Sequence, residues 1–218
     1  STMRPQDVVL SDEEISQAKR EVLIRVVDDD DSLRDALCFV LETEGWKTAA
    51  HASASEFLKS DSPSVPGCVV LDIRMSGMSG LEAQRAMSER GIDLPIVFLT
   101  GHGDIDMAVG ALQEGAVDFI QKPVDNERLL AVIAYAANKH LAARSGRVDG
   151  ETLLKRAAEL TDREKEIAAA LADGLVNREI AARLSIAQRT VEVHRAAVMR
   201  KLGIRKPSEL EPIRKCLK

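Results

Sequence analysis

Asp28-Asp29-Asp30-Asp31, Asp72, Thr100-Gly101 and Gln121-Lys122-Pro123 each follow directly on a short run of aliphatic and β-branched residues. If those runs are strands of one sheet, several carboxylates, a hydroxyl and an amine meet at a single edge. Crowded carboxylates repel one another, and a hard divalent cation relieves the repulsion. Mg²⁺ takes one or two carboxylates together with waters and phosphate oxygens. Beside such a metal, Asp72 would act as the nucleophile toward an incoming phosphoryl group and form an aspartyl phosphate. Thr100 would donate a hydrogen bond to one phosphoryl oxygen and Lys122 would pair with another. Each piece alone has an ordinary alternative: four aspartates make a solvated loop, a threonine ends a strand, a lysine before proline sits on the surface. Their conjunction at successive strand ends carries the argument.

A second set of residues speaks to a different partner. Stretches with helical periodicity, 177–184 and 188–202, are separated only by Ser185-Ile186-Ala187, the layout of a helix-turn-helix. In the second, Val191, Val198 and Leu202 fall at i, i+7 and i+11 and form one apolar seam. The opposing surface offers Arg189, Glu192, Val193, Ala196 and Arg200. Residues 188–206 hold six Lys and Arg against Glu192 alone, a net of +5 that suits a phosphate backbone. A helical dimerisation module with a solvated basic face is the plainer alternative.

The elements that must position these residues alternate along the chain. Strand-like runs at 22–27, 47–51, 68–71, 96–99 and 117–120 are interleaved with amphipathic stretches at 33–42, 54–59, 81–89, 107–114 and 126–143. Five strands alternating with five helices predict an α/β fold, a five-stranded doubly wound parallel sheet of flavodoxin-like type. Cys68-Val69-Val70-Leu71 and Ile96-Val97-Phe98-Leu99 are apolar throughout, as central strands covered on both faces should be. Ligands bind such sheets outside the carboxyl ends of the strands, where the winding direction switches. After a Gly-containing stretch at 145–150 and a helical segment at 151–160, the chain reads as a small all-α four-helix domain: 161–173, 177–184, 188–202 and 208–217. Thr161-Asp162-Arg163-Glu164 and Ser11-Asp12-Glu13-Glu14 have capping-box form, and Gly174 and Gly203 stand where helices should stop. The expected organisation is an N-terminal extension at 1–21, the sheet domain at 22–143, a linker at 144–158 and the helix-turn-helix domain at 159–218.

Composition narrows the classes. Apolar residues make up 45% and charged residues 30% of the chain, which excludes a disordered or collagen-like protein. No apolar run is long enough to span a bilayer and the N-terminus lacks a signal pattern, so no membrane partner and a cytoplasmic location are expected. Cys38, Cys68 and Cys216 have neither the number nor the spacing of a disulfide framework or zinc site. The net charge of −5 divides into about −10 over residues 1–150 (15 Lys and Arg, 25 Asp and Glu) and +5 over residues 151–218 (15 against 10), so the basic part could meet a polyanion. Six aromatic rings in the whole chain argue against base-stacking platforms for single strands or RNA.

Val26-Val27-Asp28-Asp29-Asp30, Val70-Leu71-Asp72-Ile73-Arg74-Met75, Phe98-Leu99-Thr100-Gly101-His102-Gly103-Asp104 and Asp118-Phe119-Ile120-Gln121-Lys122-Pro123 resemble the receiver domains of two-component response regulators. By that resemblance Asp72 is the phosphoacceptor, and a sensor histidine kinase is the donor. Mg²⁺ is then held by Asp29 directly, by Asp28 mainly through water, by Asp72 and by the backbone carbonyl of Arg74. Thr100 and Lys122 are the switch hydroxyl and the phosphate-pairing amine, Phe119 is the aromatic switch on the fifth strand, and Lys122-Pro123 is cis. Ser76, where proline is usual, departs from the pattern and suggests a less rigid loop after the phosphoacceptor; Val124, where an aromatic often follows Lys-Pro, is a second departure.

Leu160-Thr161-Asp162-Arg163-Glu164, Gly174-Leu175-Val176-Asn177-Arg178-Glu179-Ile180-Ala181 and Thr190-Val191-Glu192-Val193-His194-Arg195-Ala196 look like the LuxR-type DNA-binding domain. Joined to a receiver, the resemblance is to the NarL/FixJ class of response regulators. It implies a transcription factor, not an enzyme beyond its own phosphoryl transfer and hydrolysis, that forms a homodimer when phosphorylated and binds double-stranded DNA, where it would meet RNA polymerase. Helix 188–202 would enter the major groove. Glu192 would accept from a cytosine amino group and Val193 and Ala196 would touch a thymine methyl. Arg178, Arg189, Thr190, Arg195, Arg200 and Lys201 would contact phosphates; His194 would reach a phosphate or pack beneath the helix. Ala197 stands where asparagine is frequent, and Glu192 where part of the class has lysine. Two alternatives stand beside this account. An aspartate-nucleophile phosphohydrolase would need a second acid at position 74, which is Arg. A phosphorylation-independent regulator would use the receiver as an interaction module only.

Overall fold

The structure, a computed structural model, describes residues 4–8 and 10–218. Two compact units emerge, one comprising 4–8 and 15–144, the other 10–14 and 145–218.

In the first unit five parallel strands, β1 (Leu23–Val27), β2 (Thr48–His51), β3 (Gly67–Asp72), β4 (Ile96–Thr100) and β5 (Asp118–Gln121), lie in the order β2-β1-β3-β4-β5. The chain winds outward from β1 to β2, then crosses back to β3, so the switch in winding direction falls between β1 and β3. The continuously apolar strands β3 and β4 are interior and buried along their whole length, as their composition requires. Register aligns Val27 with Leu71, Asp72 with Leu99 and Thr100 with Gln121, which brings the carboxyl ends to one edge.

Period-two alternation along the strands feeds two cores. On one face Ile24, Val26, Val70, Val97 and Leu99 pack with α2 (Asp31–Thr43) and α6 (Asn126–Arg144). On the other, Val27, Val69, Leu71 and Phe98 pack with α3 (Ala54–Ser60), α4 (Gly80–Glu89) and α5 (Ile105–Gln113). Fully burying each of these side chains contributes about 1.5–3 kcal/mol. Side-chain caps start the helices where the chain leaves the strand ends: Asp30 accepts from the Leu33 N–H, Ser53 from Glu56 and Ser79 from Glu82.

Within α1 (Asp12–Glu21) Ile15 and Ala18, followed by Val22, form an apolar stripe that joins the first core, with Ala18 fully buried, and Lys19 lies over the Trp46 ring. Residues 1–3 and 9 of the expected 1–21 extension lie outside the described residues.

The second unit contains α7 (Gly150–Ala158), α8 (Asp162–Ala172), α9 (Asn177–Leu184) and α10 (Gln188–Leu202), followed by a 3-10 segment at Pro207–Cys216. The helical segment expected at 151–160, within the linker expected over 144–158, is α7, and it belongs to this unit's core: Leu153, Ala157 and Leu160, at i, i+4 and i+7, are buried with Ile167, Leu171, Ile180, Val191, Val198 and Leu202. The last helix also differs from expectation, because Pro212 has no N–H to continue an α-helical ladder. Thr161 caps α8 through the Glu164 N–H, and Gly203 ends α10 in the left-handed region at φ +73°. Among the described residues no helix is long and apolar enough to cross a membrane.

Candidate functional site

The β1–β3 switch point gathers the acidic residues. Carboxylate oxygens of Asp28, Asp29 and Asp72 lie within 4.8 Å of one another; Asp28 and Asp72 are buried and Asp29 is exposed. Backbone amides hold each carboxylate in place against its neighbours. The Asp30 N–H donates to Asp28 Oδ1 (2.9 Å), the Ser76 N–H to Asp29 Oδ2 (2.9 Å) and the Arg74 N–H to Asp72 Oδ1 (3.1 Å). Proline at 76 would have no N–H to give, so here the unusual residue ties the loop to the acidic cluster through its backbone. Gly80, the first residue of α4, lets that helix seat against β3, since a Cβ there would collide with the Asp72 carbonyl oxygen.

Lys122 enters from the end of β5. Its Nζ donates to Asp72 Oδ2 at 2.8 Å and stands 3.7 Å from Asp28 Oδ2. Its backbone N–H donates to the Thr100 carbonyl (2.7 Å), and the Lys122-Pro123 bond is cis. Thr100 Oγ1 is buried without a hydrogen-bond partner. Burial pushes the Asp28 carboxyl up to about 6, with the nearby Asp72 charge adding to the effect and the Asp30 N–H opposing it. Burial alone would lower the Lys122 ammonium, but the bond to Asp72 and the charge of Asp28 outweigh it and hold the pKa above its ordinary value. Three oxygen donors, a lysine and an unpartnered hydroxyl at one edge form a donor set suited to a hard cation and an anion with oxygens.

Two arginine side chains brace this edge, that of Arg34, which sequence reasoning passed over, and that of Arg74, for which only the backbone carbonyl was assigned a role. Arg34, one turn into α2, donates from Nη1 to the Asp28 carbonyl (2.7 Å) and from Nη2 to Asp31 (2.6 Å). Arg74 reaches Asp104 Oδ1 at 2.6 Å, while Asp104 Oδ2 accepts from the Gly101 N–H (3.3 Å). Asp104 thereby links the loops after β3 and β4, and the α5 N-terminus goes without a side-chain cap. The spacing Asp-x-x-Arg over Asp31–Arg34 was open to a sequence-level guess; the Arg74–Asp104 pair, 30 residues apart, was not. Phe119 is half-buried on β5, against the second core.

In the second unit α9, the turn Ser185-Ile186-Ala187 and α10 form the expected helix-turn-helix. Ser185 closes α9 at φ +54°, alone among the described non-glycine residues in having positive φ. Val191, Val198 and Leu202 are fully buried, as the seam predicts. Arg178, Arg189, Thr190, Glu192, Val193, Ala196, Arg200 and Lys201 are exposed; Val193, 65% exposed, is an apolar side chain on a basic surface. Arg195 and His194 are half-buried, and Arg195 donates to Asn177 Oδ1 (2.9 Å). Lys201 is committed within the domain: its Nζ donates to Glu164 Oε1 at 2.6 Å, joining α10 to α8.

The sequence model described as "Response regulator receiver domain" matches residues 24–134, and that described as "Bacterial regulatory proteins, luxR family" matches residues 158–211. The transcriptional regulatory protein FixJ of Azorhizobium caulinodans is 40% identical over 181 residues, covering 82% of this chain and 85% of that protein. Response regulator protein TodT of Pseudomonas putida is 37% identical over 199 residues, covering 91% and 88%. Among solved structures, full-length FixJ from B. japonicum superposes with a TM-score of 0.54 at 38% identity, covering 87% of this chain and 94% of that one. With one such domain on each side of residue 145, the chain belongs to the NarL/FixJ class of two-component response regulators, transcription regulators that join a receiver to a LuxR-type DNA-binding domain.

Proposed function

We propose that this regulator is switched by phosphorylation of Asp72. The observation that carries the proposal is the convergence of Asp28, Asp29 and Asp72 on one point, with Lys122 bonded to Asp72 and the Thr100 hydroxyl, at the end of the neighbouring strand, buried without a partner. A phosphohistidine of a sensor kinase is the donor. An Asp72 carboxylate oxygen attacks phosphorus, the P–N bond breaks as the P–O bond forms, and the departing imidazole nitrogen takes up a proton. Asp28, Asp29, Asp72 and the Arg74 carbonyl would hold Mg²⁺, which when bound neutralises charge on the phosphoryl oxygens. Lys122 pairs with one of those oxygens, and the Thr100 hydroxyl acquires through another the acceptor that it lacks.

Thr100 and Lys122 report the new anion to β4 and β5, and Phe119 repacks with them. The repacked surface favours a receiver homodimer, and the paired DNA-binding domains then meet two half-sites about one helical turn apart. In the groove, Glu192, Val193 and Ala196 face base edges, and Arg178, Arg189, Thr190, Arg195 and Arg200 face phosphates. Lys201 contributes to the positive field while tied to Glu164. Transcriptional output then requires contact with RNA polymerase. Incorporation of phosphate from acetyl phosphate in Mg²⁺ tests the first step: wild type is labelled and Asp72→Asn is not. Undiminished labelling of that variant overturns the assignment.

A further inference from the structure

Residues 4–8 sit on the receiver at a place that connects them to the candidate site. Pro5–Asp7 form a single 3-10 turn, closed by the Val8 N–H to the Pro5 carbonyl and by an Arg4–Asp7 ion pair (2.9 Å), and this turn packs against α6. From it Gln6 Oε1 accepts a hydrogen bond from Arg128 Nε at 2.7 Å. The same guanidinium donates from Nη2 to the Phe119 carbonyl (2.7 Å) and stands 3.5 Å from Asp118 Oδ1, which in turn accepts from the Phe119 N–H (2.8 Å). One planar fork thus joins the N-terminal turn, the first turn of α6 and β5.

β5 is an edge strand paired only with β4, so its outer backbone groups depend on partners of this kind. Three residues beyond Phe119 it delivers Lys122 to Asp72. Holding Arg128 therefore holds the strand that supplies the site's one lysine.

We propose that residues 4–8 are a strap in cis that stabilises the resting position of β5 and so opposes the switch. The proposal rests on the phosphorylation reading for its consequence, though not for the contact itself. The strap's bond to Arg128 coexists with the Lys122–Asp72 bond, the pairing that a phosphoryl group on Asp72 would displace. A bond present in one state only shifts the equilibrium toward that state by its full differential energy.

The test uses the whole chain and three variants: Gln6→Ala, which removes the acceptor; Gln6→Glu, which strengthens it by charge; and deletion of residues 1–8. Beryllium fluoride with Mg²⁺, a stand-in for the phosphoryl group, is titrated by calorimetry, and exchange of the backbone amides of residues 118–121 is followed in its absence. Affinity is expected to rise about three-fold for Gln6→Ala and about ten-fold for the deletion, and to fall about three-fold for Gln6→Glu. The amides are expected to exchange in the same order, fastest in the deletion. Equal affinities across the set, or shifts of one sign for both Gln6 substitutions, overturn the strap. If no chain binds beryllium fluoride, the phosphorylation reading fails by itself. The exchange order then decides the strap, and unchanged exchange overturns it.

Discussion

Asp28 is a buried carboxylate next to another carboxylate, and its removal should stabilise the protein. Burial raises its carboxyl from 3.8 to about 6. A shift of about two units corresponds to about 3 kcal/mol between the protonated and ionised forms. The sign follows from linkage. Below about pH 4 both folded and unfolded chains hold the proton and the site costs nothing. Between about pH 4 and 6 the unfolded chain releases it while the folded chain retains it, so stability falls as pH rises. Above about pH 6 the whole cost stands. Asn at this position keeps an oxygen for the Asp30 N–H and brings an amide toward Asp72. Asp28→Asn is therefore expected to be more stable than wild type by about 2–3 kcal/mol at pH 7.5 and equal to it at pH 4. Trp46, the chain's one tryptophan, is buried in the first core of the receiver, so urea unfolding followed by its fluorescence reports on this unit. With Mg²⁺ at ten times its dissociation constant, wild type should gain about 1.4 kcal/mol and the variant much less. A variant less stable at pH 7.5, or an equal difference at both pH values, would refute the electrostatic reasoning.

Thr100→Val removes a hydroxyl that has no hydrogen-bond partner, so the urea midpoint should stay level or rise by up to about 1 kcal/mol in stability, while the response of DNA binding to phosphoryl donor is lost. A clear drop in midpoint would mean that the hydroxyl has a partner in solution. In the second unit, hydrogen bonding to Lys201 holds the Glu164 carboxyl below its usual range, so the pair's stabilisation is present above the unfolded carboxyl's pKa and lost as pH falls through the folded one. Lys201→Ala should lower the thermal midpoint, followed by far-ultraviolet circular dichroism, more at pH 7 than at pH 3.5; a pH-independent loss would assign the effect to packing instead.

The sheet and the members of the acidic site were legible because each rests on local signals: apolar runs of strand length, and chemistry-bearing residues at their carboxyl ends. Register then did the rest, since parallel strands in step bring Asp28, Asp72, Thr100 and Lys122 to one edge. What stayed hidden depends on long-range partners. Arg25 interrupts β1 with a charge, yet it is fully buried because Asp61 and the carbonyls of Leu23, Ser62 and Val65 receive its guanidinium. The capping box of α8 was readable from Thr161 and Glu164, but the reach of Lys201 to Glu164 across 37 positions was not. The packing of α1 and α7 was readable in principle from Ile15-Ala18-Val22 and Leu153-Ala157-Leu160. Short stripes flanked by charge resemble surface helices until a core is found to receive them.

The serine at position 76 gives the loop after Asp72 a character that a proline-bearing loop would lack. A pyrrolidine ring stiffens its backbone permanently, whatever the neighbours do. Here order is on loan from the Asp29 side chain, through a single donated proton. A cation that draws that carboxylate elsewhere slackens the loop at the same moment, so this chain ties its local rigidity to the occupancy of its own acidic cleft.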